Sequence, residues 1–254
     1  MMLTDTFKKY LVLLLLGFVF LGGCSTVPKA TPETEPAMRQ KADLVPAGTE
    51  LAIDVYDPLE GFNRGVYRFN YYFDKFLFLP VVRAYQFILP DYAEDRVSDF
   101  VDNVFEFNNF TNNLAQLKFR QTGVTLARFV VNTTAGIAGL WDPATELGLH
   151  RQGEDFGQTL GHYGVGHGPF LVLPVLGPSN VRDTTGLVGD TLAFNNLGPP
   201  YWVDDEDIVL GFTVVSSIDK RKRIPFRYYG TGSPFEYEHI RMLYTMKREF
   251  DIAR

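Results

Sequence analysis

Residues 57–76 have the sequence DPLEGFNRGVYRFNYYFDKF, and this stretch decides the class of fold. Aspartate followed by proline is typical of a helix start, so Asp57 is predicted at the N-cap and Pro58 in the first turn. Apolar residues then recur at spacings of three and four, at Leu59, Phe62, Val66, Phe69, Phe73 and Phe76. This period predicts an amphipathic helix with a largely aromatic apolar stripe.

Similar patterns predict further helices along the chain. They cover 97–105, 121–134, a short helix that starts at Asp142-Pro143, 183–194, 205–223 and 234–250. Apolar residues lie on most sides of 121–134, which predicts that this helix is buried. Ser179 is predicted to cap the helix that follows it. Only 170–173 is predicted to be a strand, so the fold class is expected to be all-α, or mainly α.

Composition and charge exclude several classes of protein. The chain has 254 residues, of which 46% are hydrophobic and 15% aromatic, so it is a folded protein rather than a disordered one. A formal net charge of −6 excludes a broadly basic nucleic-acid-binding protein. The single cysteine excludes an intramolecular disulfide and a multi-cysteine metal site.

The amino terminus carries the pattern of an export signal. Lys8 and Lys9 precede a short apolar run at 10–21, and small residues follow, so residues 1–23 are predicted to be a signal peptide. Leu21-Gly22-Gly23-Cys24 resembles the lipobox of bacterial lipoproteins, in which the cysteine is lipidated and becomes the mature amino terminus. The alternative is an ordinary signal peptide with an incidental cysteine.

Residues 24–52 are rich in proline and are predicted to form a flexible tether behind Cys24, with one folded domain at 53–254. No mature segment reaches 18 consecutive apolar residues. The aromatic stripes have two interpretations: they pack in an ordinary core, or they lie in the plane of a membrane. The stripes alone favour the core, and the predicted lipid anchor makes the two interpretations nearly equal.

The segment from Gly161 to Gly168 is unusually rich in glycine. Gly161, Gly164, Gly166 and Gly168 widen the backbone conformations that the chain can adopt, so a hinge is predicted here. A phosphate-binding loop would need a helix after it, whereas Pro169 and an extended run follow. His162 and His167 could hold a metal ion only with ligands from elsewhere, and solvated histidines are the simpler interpretation.

Several motifs, taken in order, resemble a known family. They lie at 57–64, 69–70, 128–129, 132–136, 155–161, 163–169, 173–174 and 177–183. Together they resemble the MlaA (VacJ) family of phospholipid-transport lipoproteins. The resemblance covers roughly residues 54–195, and the carboxy-terminal part matches the family poorly.

This resemblance implies a ring-like helical domain that is embedded in the bacterial outer membrane from the periplasmic side. It implies association with a trimeric porin and a channel that removes mislocalised glycerophospholipids from the outer leaflet. The periplasmic lipid carrier MlaC would receive these lipids. No cofactor, metal ion or catalytic residue is expected, because the lipoprotein itself performs no covalent chemistry.

Arg64, Arg68 and Asn70, adjacent to the aromatic stripe, are predicted to supply a polar path for lipid head groups. The four glycines are predicted to form the gate. The basic run at 220–223 either attracts anionic head groups or is a solvated helix end. Two other functions stay open: an envelope phospholipase, for which no nucleophile–base pair has recognisable spacing, and a structural lipoprotein that only scaffolds porins.

Overall fold

A computed structural model describes residues 55–254. The predicted signal peptide and tether at 1–52, including Cys24, lie outside the described residues. The helices are α1 Glu60–Phe73, α2 Leu79–Ile88, α3 Asp91–Ala115, α4 Phe119–Thr134, α5 Pro143–Glu146, α6 Phe156–His162, α7 Val181–Leu197, α8 Glu206–Arg223 and α9 Glu236–Ala253. A π-helical turn at Asp74–Phe78 joins α1 to α2, and a 3-10 turn at Pro199–Trp202 separates α7 from α8.

The fold is mainly α, as predicted. The predicted strand is confirmed as β1, Phe170–Leu173, which pairs with β2, Gly177–Asn180, in an antiparallel hairpin. The prediction that Ser179 caps the next helix is wrong, because Ser179 lies within β2. Asn180 caps α7 instead, and its side-chain oxygen accepts a hydrogen bond from the Asp183 N–H.

Some of the helices begin after an aspartate N-cap, as predicted. Asp142 caps α5 and Asp205 caps α8 through hydrogen bonds to backbone N–H groups. The prediction for Asp57 is wrong, since α1 begins at Glu60 with Leu59 at its N-cap. The Asp57 carboxylate accepts hydrogen bonds from three side chains instead, those of Asn63, Tyr237 and Arg241.

Two asparagines two helical turns apart fasten α1 to the β-hairpin. The Asn63 amide donates to the Phe170 carbonyl at 3.0 Å, and its oxygen accepts from the Val172 N–H at 2.9 Å. Asn70 donates to the Leu173 carbonyl at 2.9 Å and accepts from the backbone of the turn that follows. Both asparagines are buried. Their amides therefore provide hydrogen-bond partners for backbone N–H and C=O groups of the hairpin that would otherwise be buried without partners.

The apolar core is small and lies where α1, the hairpin and α9 meet. Its members are Val55, Val66, Tyr67, Phe170, Val172 and Tyr237. Tyr67 is at its centre, where its ring makes edge-to-face contacts with Tyr228, Tyr229 and Tyr237. The Tyr67 hydroxyl donates to Glu236, so a carboxylate is buried in this cluster.

Most of the remaining interior is polar. Within residues 55–254, buried polar and charged residues outnumber buried apolar ones by 27 to 10. The helix α4 shows why the prediction of an apolar buried helix at 121–134 is wrong. Its buried residues are Thr122, Thr125, Arg128 and Asn132, whereas the side chains of Leu126 and Val130 are exposed.

Arg128 connects three helices through its guanidinium. It donates to Glu106 of α3 at 2.7 Å, to Asp142 before α5 at 2.9 Å and to Thr145 of α5 at 2.9 Å. Burial alone would raise the pKa of Asp142, but hydrogen bonds from Thr145, Arg128 and Asn132 outweigh it and lower the pKa to about 2. Asp142 therefore stays ionised beside Arg128 at neutral pH.

A second buried network joins α6, α7 and α9. Arg248 of α9 donates to Asp155 at 2.7 Å and 2.8 Å and to Asp183 at 2.8 Å and 3.1 Å. The backbones of α6 and α7 also approach closely, since a Cβ on Gly186 would lie 2.2 Å from the Gly157 nitrogen. Any side chain at Gly186 would therefore separate the two helices.

We predict that Arg128→Met destabilises the protein by about 3–5 kcal/mol, because it leaves the buried Glu106 carboxylate without its cationic partner. Chemical denaturation followed by circular dichroism measures the change. The double variant Glu106→Gln/Arg128→Met should recover part of the loss, and Arg83→Met, at an exposed arginine, is the control. A loss with Arg128→Met no larger than that with Arg83→Met would contradict the prediction.

Candidate functional site

The aromatic stripe of α1 faces outward. Phe62, Phe69 and Phe76 have exposed fractions of 63%, 51% and 63%, and Val66 is the buried member of the stripe. The buried face of α1 carries Asn63, Tyr67 and Asn70 beside Val66. The interpretation of this stripe as ordinary core packing is therefore wrong for its exposed phenylalanines.

Exposed apolar side chains continue over other elements. They include Phe87 and Ile88 of α2, Leu187, Val188 and Leu192 of α7, Tyr201 and Trp202 of the 3-10 turn, and Ile208, Leu210 and Val214 of α8. Large exposed apolar patches mark surfaces that contact another apolar phase or partner. The described part of the chain therefore exposes many large apolar side chains, although its apolar core is small.

An interior with more polar than apolar residues and a surface with exposed phenylalanines are the reverse of what burial in water favours. The fold and this distribution define a mainly α-helical protein with an apolar exterior and a hydrogen-bonded interior. In residues 55–254, no helix is both long enough and apolar enough to cross a membrane.

Arg64, a predicted head-group residue, lies against α9. Its Nε donates to Glu60 at 2.8 Å, its Nη2 is ion-paired with Glu238, and its guanidinium lies 4.3 Å from the Tyr237 ring centroid. Burial alone would lower the pKa of Arg64, but hydrogen bonds and the charges of Glu60 and Glu238 raise it. Arg64 is therefore a permanent cation that already has two carboxylate partners.

The other two predicted head-group residues occupy different faces of α1. Arg68 is exposed, and its guanidinium lies 5.8 Å from the Tyr72 ring centroid. Asn70 is buried, with both ends of its amide bonded to the hairpin. The role of all three residues in lipid passage stays a prediction.

The four glycines of the predicted gate have different surroundings. Gly161 lies in α6, where a Cβ would meet Ile252 Cδ1 at 2.5 Å. Gly164 and Gly168 have φ angles of +84° and +66°, which other residues rarely adopt, and Gly166 lies in open space. Backbone freedom is thus required at Gly164 and Gly168, whereas close packing is required at Gly161.

Histidines and acidic residues do not assemble into a metal site. Within residues 55–254, no group of three or more histidine, cysteine, aspartate and glutamate side chains could hold a metal ion. The His162 ring packs edge-on against Tyr163, and the His167 ring lies 2.6 Å from the Gly168 carbonyl oxygen.

Comparisons with known proteins identify relatives. The sequence profile of the MlaA lipoprotein family matches residues 55–251. An uncharacterized protein of Rickettsia typhi is 39% identical over 79% of each chain. The intermembrane phospholipid transport system lipoprotein MlaA of Escherichia coli K12 is 38% identical over 53% of this chain and 55% of that protein.

A solved structure shares the fold as well. It comes from work on the structural basis for maintenance of bacterial outer membrane lipid asymmetry, and it matches with a TM-score of 0.62 at 30% identity. The match covers 77% of this chain and 98% of that chain. The chain therefore belongs to the MlaA lipoprotein family.

The family motifs found in the sequence mark buried structural contacts. Arg128, Asn132, Asp155 and Asp183 all lie in motifs, and each takes part in the polar networks that join helices. Sequence reasoning did not assign them this role, because a polar residue on an amphipathic helix is normally expected to face solvent. Their clustering within the motifs was the available signal.

We predict that Trp202 contacts acyl chains when the protein is placed in a bilayer, since this residue is 62% exposed on the apolar surface. Trp141→Phe leaves Trp202 as the only tryptophan. In phospholipid nanodiscs, lipids with brominated acyl chains should quench its fluorescence. The matched control is Trp202→Phe, which retains the less exposed Trp141 and should be quenched less. Equal quenching of the two variants would contradict the prediction.

Proposed function

We propose that this protein moves glycerophospholipids at the bacterial outer membrane, to which Cys24 anchors it by its lipids. It forms a channel that takes mislocalised phospholipids from the outer leaflet and passes them to the periplasmic carrier MlaC. A trimeric porin holds it in place in the membrane. The result is retrograde transport that maintains the lipid asymmetry of the outer membrane.

The observation that carries this proposal is the combination of an apolar exterior with a polar interior. An aromatic surface in contact with acyl chains removes apolar area from water, which is favourable at about 25 cal/mol per Å². A lipid crossing the protein needs polar groups for its head group and apolar surface for its chains. Many polar side chains of this domain lie inside, whereas Phe62, Phe69, Phe76 and Phe87 lie outside, which suits a body within one leaflet.

The relatives support the substrate class. The Escherichia coli and Haemophilus influenzae relatives are named as lipoproteins of an intermembrane phospholipid transport system. The solved structure that matches comes from work on outer-membrane lipid asymmetry. Membership of the same family favours the same substrate class for this chain.

A transfer assay tests the proposal. The full-length lipidated protein is placed, with its porin, in liposomes that contain fluorescent phosphatidylethanolamine, and purified MlaC is added. We expect intact fluorescent phospholipid to appear on MlaC, and to appear faster than from liposomes with the porin alone. Thin-layer chromatography of the MlaC fraction identifies the lipid.

Other outcomes of this assay would overturn the proposal. Fluorescent free fatty acid in place of intact lipid would indicate a phospholipase. No gain over porin alone would leave a structural lipoprotein that scaffolds porins. Arg64→Met and Arg68→Met, assayed in the same liposomes, test whether either cation serves lipid passage.

We predict that replacing Gly164, Gly166 and Gly168 together by alanine slows lipid transfer while the protein stays folded. Alanine at φ angles of +84° and +66° costs about 1–2 kcal/mol per residue, so the segment loses conformations that it now adopts. Phospholipid in the outer leaflet of a complemented deletion strain is the measurement, and it should rise.

The matched control is Gly123→Ala, at a helical glycine in α4 with open space around it. It should leave both folding and lipid asymmetry unchanged. Normal asymmetry in the strain with the triple alanine variant would show that the glycine-rich segment is not a gate.

A further inference from the structure

A cavity lined by apolar side chains lies between α3, α8 and the 3-10 turn. Its volume is about 360 Å³, and its lining includes Val101 and Val104 of α3 and Ile208, Phe212 and Val215 of α8. Small-molecule pockets are about 300–1,000 Å³, so this one suits part of a lipid, such as a single acyl chain. Because no polar side chain lines it, water gains little by entering it.

One end of the same helix α8 carries a cation without a carboxylate partner. In the basic run 220–223, Arg221 pairs with Asp74, Lys222 with Glu94, and Arg223 with Asp102 and Asp219. Within the described residues, no carboxylate lies within 4 Å of Lys220. Its amine instead lies 3.7 Å from the centroid of the Phe105 ring.

Two arginines and two aspartates act on the charge of Lys220. Burial lowers the pKa of Lys220, and the nearby charges of Arg151 and Arg223 lower it further, more than Asp102 and Asp219 raise it. Yet its side chain is accessible to solvent. An accessible side chain surrounded by many protein atoms lies in a concave part of the surface, where an anion from outside can reach it.

The cation and the cavity both lie along the interface between α3 and α8, where Phe105 links them. The Phe105 ring that contacts Lys220 lies 5.9 Å from the ring of Phe212, which lines the cavity. Residues 212, 216 and 220 are spaced by four and therefore lie on one face of α8. At 1.5 Å per residue, Phe212 and Lys220 are about 12 Å apart along the helix axis.

We infer that this interface between α3 and α8 is a binding subsite for one glycerophospholipid, with an acyl chain in the apolar cavity and the lipid phosphate at Lys220. The inference rests on the proposed function and adds a location to it. The interface has the two chemistries of a phospholipid in the order in which the lipid carries them. Arg151 and Arg223, both ion-paired with Asp102, are the two other cations whose charges act on Lys220.

Two substitutions separate the two halves of the subsite. Gly211 lines the cavity, and a Cβ there meets nothing within 4 Å, so Gly211→Leu fills the cavity without a backbone clash. Leucine also has a higher helix propensity than glycine, so the variant is expected to fold. Lys220→Gln removes the charge and retains a polar side chain of similar reach.

Each substitution has a matched control. Gly123→Leu places the same side chain at another helical glycine with open space around it. Lys247→Gln removes the charge of an exposed lysine that pairs with Asp251 within α9. The melting temperature of every variant is measured before its lipid binding.

Photolabelling of the full-length lipidated protein in detergent tests the inference. The probes are a phosphatidylglycerol with a diazirine on one acyl chain and the diacylglycerol with the same chains, both below saturation. In the wild type, the label should map by mass spectrometry to peptides of α3 and α8. Gly211→Leu should reduce labelling there by both probes roughly tenfold.

Lys220→Gln should reduce labelling by phosphatidylglycerol roughly tenfold, as expected for a lost hydrogen bond to a charged group, and should leave labelling by diacylglycerol unchanged. Both controls should label like the wild type. Wild-type labelling in Gly211→Leu would overturn the acyl-chain site. An equal effect of Lys220→Gln on both probes, or no effect, would overturn the phosphate site.

The transfer assay distinguishes a failure of this inference from a failure of the proposed function. Transfer of intact phospholipid by the wild type, together with label spread evenly over the exposed aromatic surface, would overturn the subsite and leave the function standing. Absence of transfer by the wild type would overturn the function itself.

Discussion

Ion pairs in the interior hold these helices together, because a charge removed from water is tolerated only when it is paired and hydrogen-bonded. Arg128 connects α3, α4 and α5, and Arg248 connects α6, α7 and α9. Arg221 connects α8 to Asp74 in the π-helical turn, through two hydrogen bonds of 2.7 Å and 2.8 Å. Each of these contacts is directional, so together they define how the helices are oriented.

The polar interior explains the apolar exterior. An amphipathic helix has one polar and one apolar face, and a helix that turns its polar face to its neighbours must expose the other. Helix α4 shows this plainly, with Arg128 and Asn132 inside and Leu126 and Val130 outside. In water such a helix would be unfavourable, whereas against acyl chains its exposed face has an apolar environment. The polar packing between helices and the proposed position of the domain in a membrane leaflet therefore depend on each other.

Much of the secondary structure could be predicted from local sequence. The strand 170–173 and the helix starts after Asp142 and Asp205 were correct, because strand pattern and capping depend on neighbouring residues. The caps assigned to Asp57 and Ser179 were wrong. Asp57 has distant partners in α9, and Ser179 lies in a strand that pairs with β1, so contacts far along the chain overrode the local preference.

The candidate site was less predictable than the helices. The motifs of the family are visible in the sequence, yet many of their polar residues serve packing between helices. Lys220 is visible as part of a basic run, but the sequence does not distinguish it from three neighbours that have carboxylate partners. That distinction requires knowing which acidic residues of other helices come within reach.

The order of residues determined the helical class, the period of each amphipathic face and the family motifs, and it predicts a lipid anchor at Cys24. The tertiary structure decided which face of each helix is inside and which distant residues meet. A helical period describes two faces without stating which is buried, since that depends on the surrounding medium and on the neighbouring helices. Side chains far apart in sequence, such as Phe105, Arg151 and Lys220, come together only when the helices pack.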